Sequence, residues 1–101
     1  MKRIAICKTT DVPVNGLKQV ESNGKSICII NGGDRFFACQ AKCPHEGIAL
    51  CEGVFDGELL TCVEHLWQWN LREDGEPRGL AQGSLEMYPV EVDADLLYVM
   101  A

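Results

Sequence analysis

Two short stretches decide how this sequence is interpreted: Cys43-Pro44-His45 and Cys62-Val63-Glu64-His65, with residues 46–61 between them. Both histidines of the chain lie in these stretches, and each follows a cysteine at close spacing. Thiolate and imidazole groups are strong ligands for transition metals, and this spacing lets both side chains of one stretch reach a single centre. Together the two stretches predict a metal centre with two sulfur and two nitrogen ligands.

Two kinds of centre fit two cysteines and two histidines. Zinc takes them as a tetrahedral structural site. A [2Fe–2S] cluster takes both thiolates on one iron and both imidazoles on the other. The first would make the chain a metal-stabilised binding module and the second an electron carrier, and the four residues alone leave this choice open.

Length and charge limit the functional class. The chain has 101 residues and a formal net charge of -6, which predicts a single domain over residues 1–101 without a basic surface for nucleic acid. No apolar run approaches the roughly 20 residues that span a bilayer. The apolar stretch after the basic start is too short for a signal peptide. We therefore expect a cytoplasmic protein that binds neither nucleic acid nor membrane.

The remaining four cysteines are expected to be reduced, because disulfides are rare in the cytoplasm. Cys7, Cys28 and Cys39 lie in apolar runs and are predicted to be small buried hydrophobes. Cys51 lies in a loop, and its role stays open.

Short β-type runs alternate with turn residues along the chain, which predicts an all-β antiparallel sandwich. Asn23-Gly24 and Asp56-Gly57 are typical of two-residue hairpin turns, and a turn of helix can begin near Thr10-Asp11. Two loops, at about 42–53 and 61–70, interrupt the strand pattern and contain the four candidate ligands. The candidate strands are 2–8, 17–21, 26–31, 35–41, 58–62, 66–70, 86–92 and 96–100.

The run from Cys43 to Leu50, with Gly53 after it, resembles the first cluster-binding loop of Rieske ferredoxins, which has the pattern Cys-Pro-His-x-Gly-x-x-Leu-x-x-Gly. The run Cys62–His65 resembles their second loop, Cys-x-x-His. This resemblance implies a Rieske-like antiparallel β-sandwich with a cluster-binding subdomain of two loops. It also implies one [2Fe–2S] cluster with Cys43, His45, Cys62 and His65 as its ligands, in an electron carrier rather than an enzyme.

The residues after the second histidine indicate which subgroup of the family the chain resembles. Many family members have Pro after the second cysteine and Gly-Trp after the second histidine, whereas this chain has Val63 and then Leu66-Trp67-Gln68-Trp69-Asn70. The latter run resembles ferredoxins of toluene monooxygenases, which serve a diiron hydroxylase in aromatic hydrocarbon catabolism. It implies a flavoprotein NADH reductase as electron donor and the hydroxylase of an aromatic or alkene monooxygenase as acceptor. A ferredoxin of a ring-hydroxylating dioxygenase is the alternative.

Five further positions are candidates for docking or for contacts around the cluster. Pro44 is expected to stiffen the first loop, and Gly47 to let it fold tightly. Glu64 lies between the second pair of ligands. Trp67 and Trp69 would point to opposite faces of a strand. One of the two rings is therefore expected in the core, and the other over the cluster or at the docking surface.

The ligand set predicts the reduction potential of the cluster. With neutral imidazoles the formal charge goes from zero to minus one on reduction, which places such centres at roughly -150 to +300 mV. High-potential respiratory Rieske proteins place Ser and Tyr two and four residues after the second histidine, where this chain has Trp67 and Trp69. Without those hydroxyl bonds we expect a midpoint near about -150 mV. A potentiometric titration followed by EPR checks this value, and a midpoint well above zero would contradict it.

Overall fold

The computed structural model describes residues 3–22, 24–43, 49–63, 66–79 and 81–100 of the chain. Within these ranges no helix has the length and apolar character needed to cross a membrane. The strands in these ranges are β1 (Arg3–Lys8), β2 (Leu17–Ser22), β3 (Lys25–Asn31), β4 (Phe36–Gln40), β5 (Val54–Phe55), β6 (Leu59–Thr61), β7 (Gln68–Asn70), β8 (Glu76–Arg78), β9 (Met87–Tyr88), β10 (Val90–Asp93) and β11 (Leu96–Met100). Three single turns of 3-10 helix lie at Thr9–Asp11, Leu50–Glu52 and Leu71–Glu73.

The strands form three antiparallel sheets. One has the order β1-β11-β10, a second β2-β3-β4-β9 and a third β5-β6-β7-β8. The third sheet contains the chain on both sides of the second candidate loop, so we call it the cluster sheet. This all-β architecture agrees with the fold class predicted from the sequence.

Strand β3 is buried on both faces. Ile27 and Ile29 belong to one hydrophobic cluster, and Cys28 and Ile30 belong to another. Because successive side chains of a strand point to opposite faces, the sheet that contains β3 is the middle layer of the molecule. Its two faces pack against the β1-β11-β10 sheet on one side and the cluster sheet on the other.

The two hydrophobic cores divide along this middle sheet. The core that includes side chains of the cluster sheet also contains both cysteines of the candidate metal centre. Its buried residues are Cys28, Ile30, Phe37, Cys39, Ala41, Cys43, Leu50, Phe55, Leu60, Cys62, Trp69, Leu71 and Leu85. The core on the opposite face consists of Val12, Ile27, Ile29, Ala38, Leu97 and Val99.

Every predicted strand is present, but prolines change the strand pattern at two places. The predicted strand 86–92 is divided at Pro89 into β9 and β10, since proline has no N–H to donate to a neighbouring strand. Pro77 lies inside β8, which the sequence rules did not predict. This strand is at the edge of the cluster sheet, where a missing donor is tolerated. The two-residue strand β5 was also missed.

The predicted turns have mixed outcomes. Strands β2 and β3 pair up to Ser22 and Lys25, as a two-residue hairpin requires, and Gly24 has a φ of 76°, whereas Asn23 lies outside the described residues. The turn at Asp56 spans three residues, because β6 begins at Leu59. The side chain of Asp56 accepts the backbone N–H groups of residues 58 and 59, and these bonds lower the pKa of its carboxyl group. The helical turn predicted near Thr10 is confirmed as a single turn at Thr9–Asp11.

Arg72 connects the cluster sheet to the middle sheet. Its guanidinium group bonds to the Asp34 carboxylate at 2.9 and 3.2 Å, to the carbonyl oxygen of Gly32 at 3.0 Å and to that of Gly57 at 2.7 Å. The hydrogen bond from Arg72 holds the pKa of Asp34 below its usual range. One side chain thus joins the β3–β4 turn to the β5–β6 turn.

The prediction that the remaining four cysteines are reduced is wrong for two of them. Cys28 and Cys51 form a disulfide with a Cα–Cα distance of 5.9 Å. Cys28 is fully buried in β3, as expected, but its side chain is bonded rather than a simple apolar filler. Cys51 lies in the helical turn Leu50–Glu52, so the bond fixes the end of the first candidate loop to the middle sheet. Sequence spacing could not reveal this pair, because its partners are 23 residues apart.

We expect the disulfide to be present in solution and to stabilise the fold. Acid-denatured protein that is alkylated without reductant should carry four alkyl groups, and reduced protein six, as read by mass spectrometry. Replacing both partners by Ala should lower the free energy of unfolding by about 3 kcal/mol, the value for a loop of this length. The control is Cys7→Ala, because Cys7 has no disulfide partner. Six alkyl groups without reductant would show that the bond is absent.

Candidate metal centre

The first candidate loop is closed at its base by backbone pairing. Lys42 and Ala49 form an antiparallel bridge, and the N–H of Leu50 donates to the carbonyl oxygen of Ala41 at 2.7 Å. Cys43 is the first residue beyond this closure and is 3% exposed. The other residues expected to act in this loop, Pro44, His45 and Gly47, lie outside the described residues.

The second candidate loop is closed in the same manner. The N–H of Cys62 donates to the carbonyl oxygen of Trp67 at 2.8 Å, and the N–H of Leu66 donates to the carbonyl oxygen of Cys62 at 2.9 Å. Cys62 is 1% exposed and stands at the base of the loop, as Cys43 does. Glu64 and His65 lie outside the described residues.

The two cysteines belong to the same hydrophobic core. They are buried, they come from two closed loops, and each is followed within three residues by a histidine. Two buried thiols in this arrangement fit the sulfur half of a centre with two thiolates and two imidazoles. Among the residues that the structure describes, no group of three or more ligating side chains lies together, and the two predicted histidine ligands are not among them.

Gly53 lets the two loops approach each other. A Cβ at this position would overlap the carbonyl oxygen of Thr61 and would lie 3.0 Å from that of Leu50. Thr61 directly precedes Cys62, and Gly53 ends the helical turn that follows the first loop. The family pattern has a glycine at this position, and the structure shows a physical reason for it, which is contact with the strand that leads into the second loop.

Of the two tryptophans, Trp69 lies in the core, as the sequence predicted for one of the pair. Trp69 is fully buried, and its indole N–H donates to the carbonyl oxygen of Gly83 at 3.1 Å. Trp67 is partly buried and packs against the same core. The two rings meet edge to face with centroids 6.2 Å apart, so they do not lie on opposite faces. The rule of alternation does not apply, because Trp67 precedes β7.

Leu66 has a backbone conformation that is rare for its residue type. Its φ is 59°, in the left-handed region that costs a residue other than glycine about 1–3 kcal/mol. The conformation follows from the hydrogen bond that Leu66 makes to Cys62, since such five-residue turns usually end with a left-handed glycine. The sequence signal for this turn is the departure from the family's Gly after the second histidine, where this chain has Leu66.

Cys39 and Cys7 are the two cysteines that belong neither to the candidate centre nor to the disulfide. Burial raises the pKa of the Cys39 thiol to about 12, so this group stays protonated and is a poor metal ligand. Burial also raises the pKa of Cys7, whose side chain is half-buried against the opposite core. Cys39 is a buried hydrophobe as predicted, whereas Cys7 is only partly so.

An all-β domain with two closed loops, each carrying a buried cysteine and a histidine in sequence, defines a class of small metal-binding domain. The chain matches the family model of the Rieske [2Fe–2S] domain over residues 2–89. It belongs to this family, whose cofactor is one [2Fe–2S] cluster.

Relatives and a solved structure support this membership. The ferredoxin subunit of methanesulfonate monooxygenase from Methylosulfonomonas methylovora is 42% identical over 67 residues, which cover 65% of this chain and 54% of the relative, so the match spans about half of that protein. The ferredoxin component of the alkene monooxygenase system from Xanthobacter autotrophicus is 24% identical over 91 residues, covering 89% of this chain and 74% of the relative. The fold is also similar, with a TM-score of 0.88 and 26% identity, to a chain in the complex of reduced oxygenase and oxidized ferredoxin of carbazole 1,9a-dioxygenase, over 96% of this chain and 91% of that one.

We expect the substitution Gly53→Ala to disturb the centre as well as the fold. The added methyl group must push the first loop away from Thr61, which should lower the free energy of unfolding by about 1–3 kcal/mol and reduce the iron content. The control is Gly24→Ala, where a Cβ meets no atom within 4 Å and only the positive φ is strained, at about 1 kcal/mol. Denaturant unfolding and iron analysis check both variants. Equal iron contents in the two would contradict the proposed role of Gly53.

Proposed function

We propose that this chain carries single electrons from an NADH-dependent flavoprotein reductase to the oxygenase component of a multicomponent system. The proposed ligands of its [2Fe–2S] cluster are Cys43 and Cys62 on one iron and His45 and His65 on the other. The observation that carries the proposal is the pair of buried cysteines at the bases of two closed loops in one core. The names of the relatives, which are ferredoxin subunits or components of oxygenase systems, support a carrier rather than a catalyst.

When bound, the cluster supplies a one-electron redox couple. The protein's part is to hold two thiolates in a dry core and to fix the bases of both loops by backbone hydrogen bonds. Buried apolar neighbours such as Leu50 and Leu60 exclude water from the sulfur side. Exclusion of water and fixed hydrogen bonds are among the factors that set the potential of such centres.

The acceptor that we propose is the hydroxylase of a diiron monooxygenase acting on aromatic or alkene substrates. The run from His65 to Asn70 supports this choice through its resemblance to ferredoxins of toluene monooxygenases, and the alkene monooxygenase relative supports it through its name. The net charge of -6 would favour a docking partner with a basic rim. The likeness to the carbazole dioxygenase complex supports the second candidate, a ring-hydroxylating dioxygenase.

The proposed location is the cytoplasm, where NADH is available to the reductase. The Cys28–Cys51 bond can persist in a reducing compartment, because its position in the protein slows the approach of reductants. Cys28 is fully buried, which limits attack on its sulfur by thiolates.

Metal content and ligand substitution test the proposed centre. Purified protein should contain two irons per chain for one [2Fe–2S] cluster and should show an EPR signal only after reduction by dithionite. Cys43→Ala should lose both the iron and the signal. The matched control is Cys39→Ala, which removes another buried thiol from the same core and should keep both. Colourless protein that contains zinc would overturn the proposal.

Electron delivery by the same purified protein tests the identity of its partner. The reduced protein is mixed anaerobically with the purified oxygenase components of alkene monooxygenase, methanesulfonate monooxygenase and carbazole 1,9a-dioxygenase, and its reoxidation is followed by visible absorption. Fastest transfer to the alkene monooxygenase component would support the diiron acceptor. Fastest transfer to the dioxygenase would favour the second candidate, and no transfer to any of them would contradict the carrier role.

A further inference from the structure

The second loop presents apolar side chains to solvent next to a proposed ligand. Leu66 is 67% exposed, more than any other large apolar side chain in the described part of the chain, and Val63 is 48% exposed. In sequence they flank Glu64 and His65. Contiguous exposed apolar groups mark partner surfaces, and these two side chains belong to one turn closed by the Leu66–Cys62 hydrogen bond.

Stability does not explain why position 66 is a leucine. The turn requires a positive φ there, which glycine adopts without strain, and the exposed side chain of Leu66 gains little from packing in the isolated protein. Residues held in unfavourable backbone conformations concentrate at functional sites. The side chain of Leu66 is therefore available for contact with a partner.

We propose that Leu66, together with Val63 from the turn closed by the Leu66–Cys62 hydrogen bond, is the apolar anchor by which this protein docks on its oxygenase partner. The inference rests on the proposed function. Electron transfer slows steeply with distance, so the acceptor must cover the loop that contains His65, and Leu66 is the next residue along the chain. An apolar side chain that is buried in a recess on the partner contributes binding free energy in proportion to the apolar area removed from water.

The occupant is the oxygenase component rather than the reductase. The comparison structure is of a complex that pairs a ferredoxin with its oxygenase. The acidic surface of this chain, with its net charge of -6, suits a recess with a basic rim and an apolar floor. In that arrangement charge guides the encounter and Leu66 sets the lifetime of the complex.

The test uses three substitutions at Leu66 and one control on the loaded protein. Leu66→Gly removes the side chain and relieves the strain, Leu66→Asn tolerates the left-handed backbone but is polar, and Leu66→Met keeps an apolar side chain. The control is Val14→Gly, because Val14 is 66% exposed and lies near Gly33, at the end of β4 opposite Cys43. Each variant is measured by thermal unfolding, by potentiometry, and by calorimetric titration with the oxygenase that accepts electrons fastest from the unmodified protein.

Leu66→Gly and Leu66→Asn should weaken binding to the oxygenase about tenfold or more, as expected for loss of a buried leucine contact. Leu66→Met and Val14→Gly should stay within about twofold. The reduction potential should be unchanged in all variants, and Leu66→Gly should unfold at the same or a higher temperature. Reduction by the flavoprotein, followed in a stopped-flow experiment, should change less than reoxidation by the oxygenase.

Equal binding by Leu66→Gly and the unmodified protein would overturn the inference and leave the carrier function intact. A loss confined to reduction by the flavoprotein would overturn the choice of partner. A marked fall in the unfolding temperature of Leu66→Gly would show that the side chain is structural. If the unmodified protein delivers electrons to no oxygenase, the proposed function fails and this inference fails with it.

Discussion

Closure of the two loops at their bases is the constraint on which the candidate centre depends. The Lys42–Ala49 bridge and the Cys62–Trp67 hydrogen bond bring each loop back to its starting point. Each closure places a cysteine at the boundary between the core and the loop. Gly53 then allows the two bases to lie against each other, because a backbone without Cβ can reach Thr61. The sulfur positions are thus set by main-chain contacts rather than by long side chains.

The middle sheet connects the core that contains the two cysteines to the rest of the protein. Strand β3 supplies side chains to both cores, so the core around the cysteines and the core on the opposite face share one strand. In a chain of 101 residues, a single core would be small, and sharing a doubly buried strand makes both cores part of one packed unit. The disulfide from Cys28 adds a covalent connection between this strand and the first loop.

Features that depend on residues close together in sequence, such as the strands, were predicted from local sequence patterns. Every predicted strand is present, and the paired Cys–His stretches identified the two loops that the structure closes. The misses have long-range causes. The Cys28–Cys51 bond joins residues from different layers, β8 contains a proline that only an edge position tolerates, and the edge-to-face tryptophan pair depends on where β7 begins. The placement of His45 and His65 lies outside the described residues, so the nitrogen half of the centre stays a prediction.

Arg72 and the Cys28–Cys51 bond hold the cluster sheet at opposite ends of β6, one at the turn that precedes the strand and one beside the loops that follow it. A sheet fastened in this manner resists sliding against the middle sheet, so its described part and β3 move as one body. A partner that binds the cluster sheet therefore has little conformational entropy to remove from it, and more of the contact free energy remains for affinity.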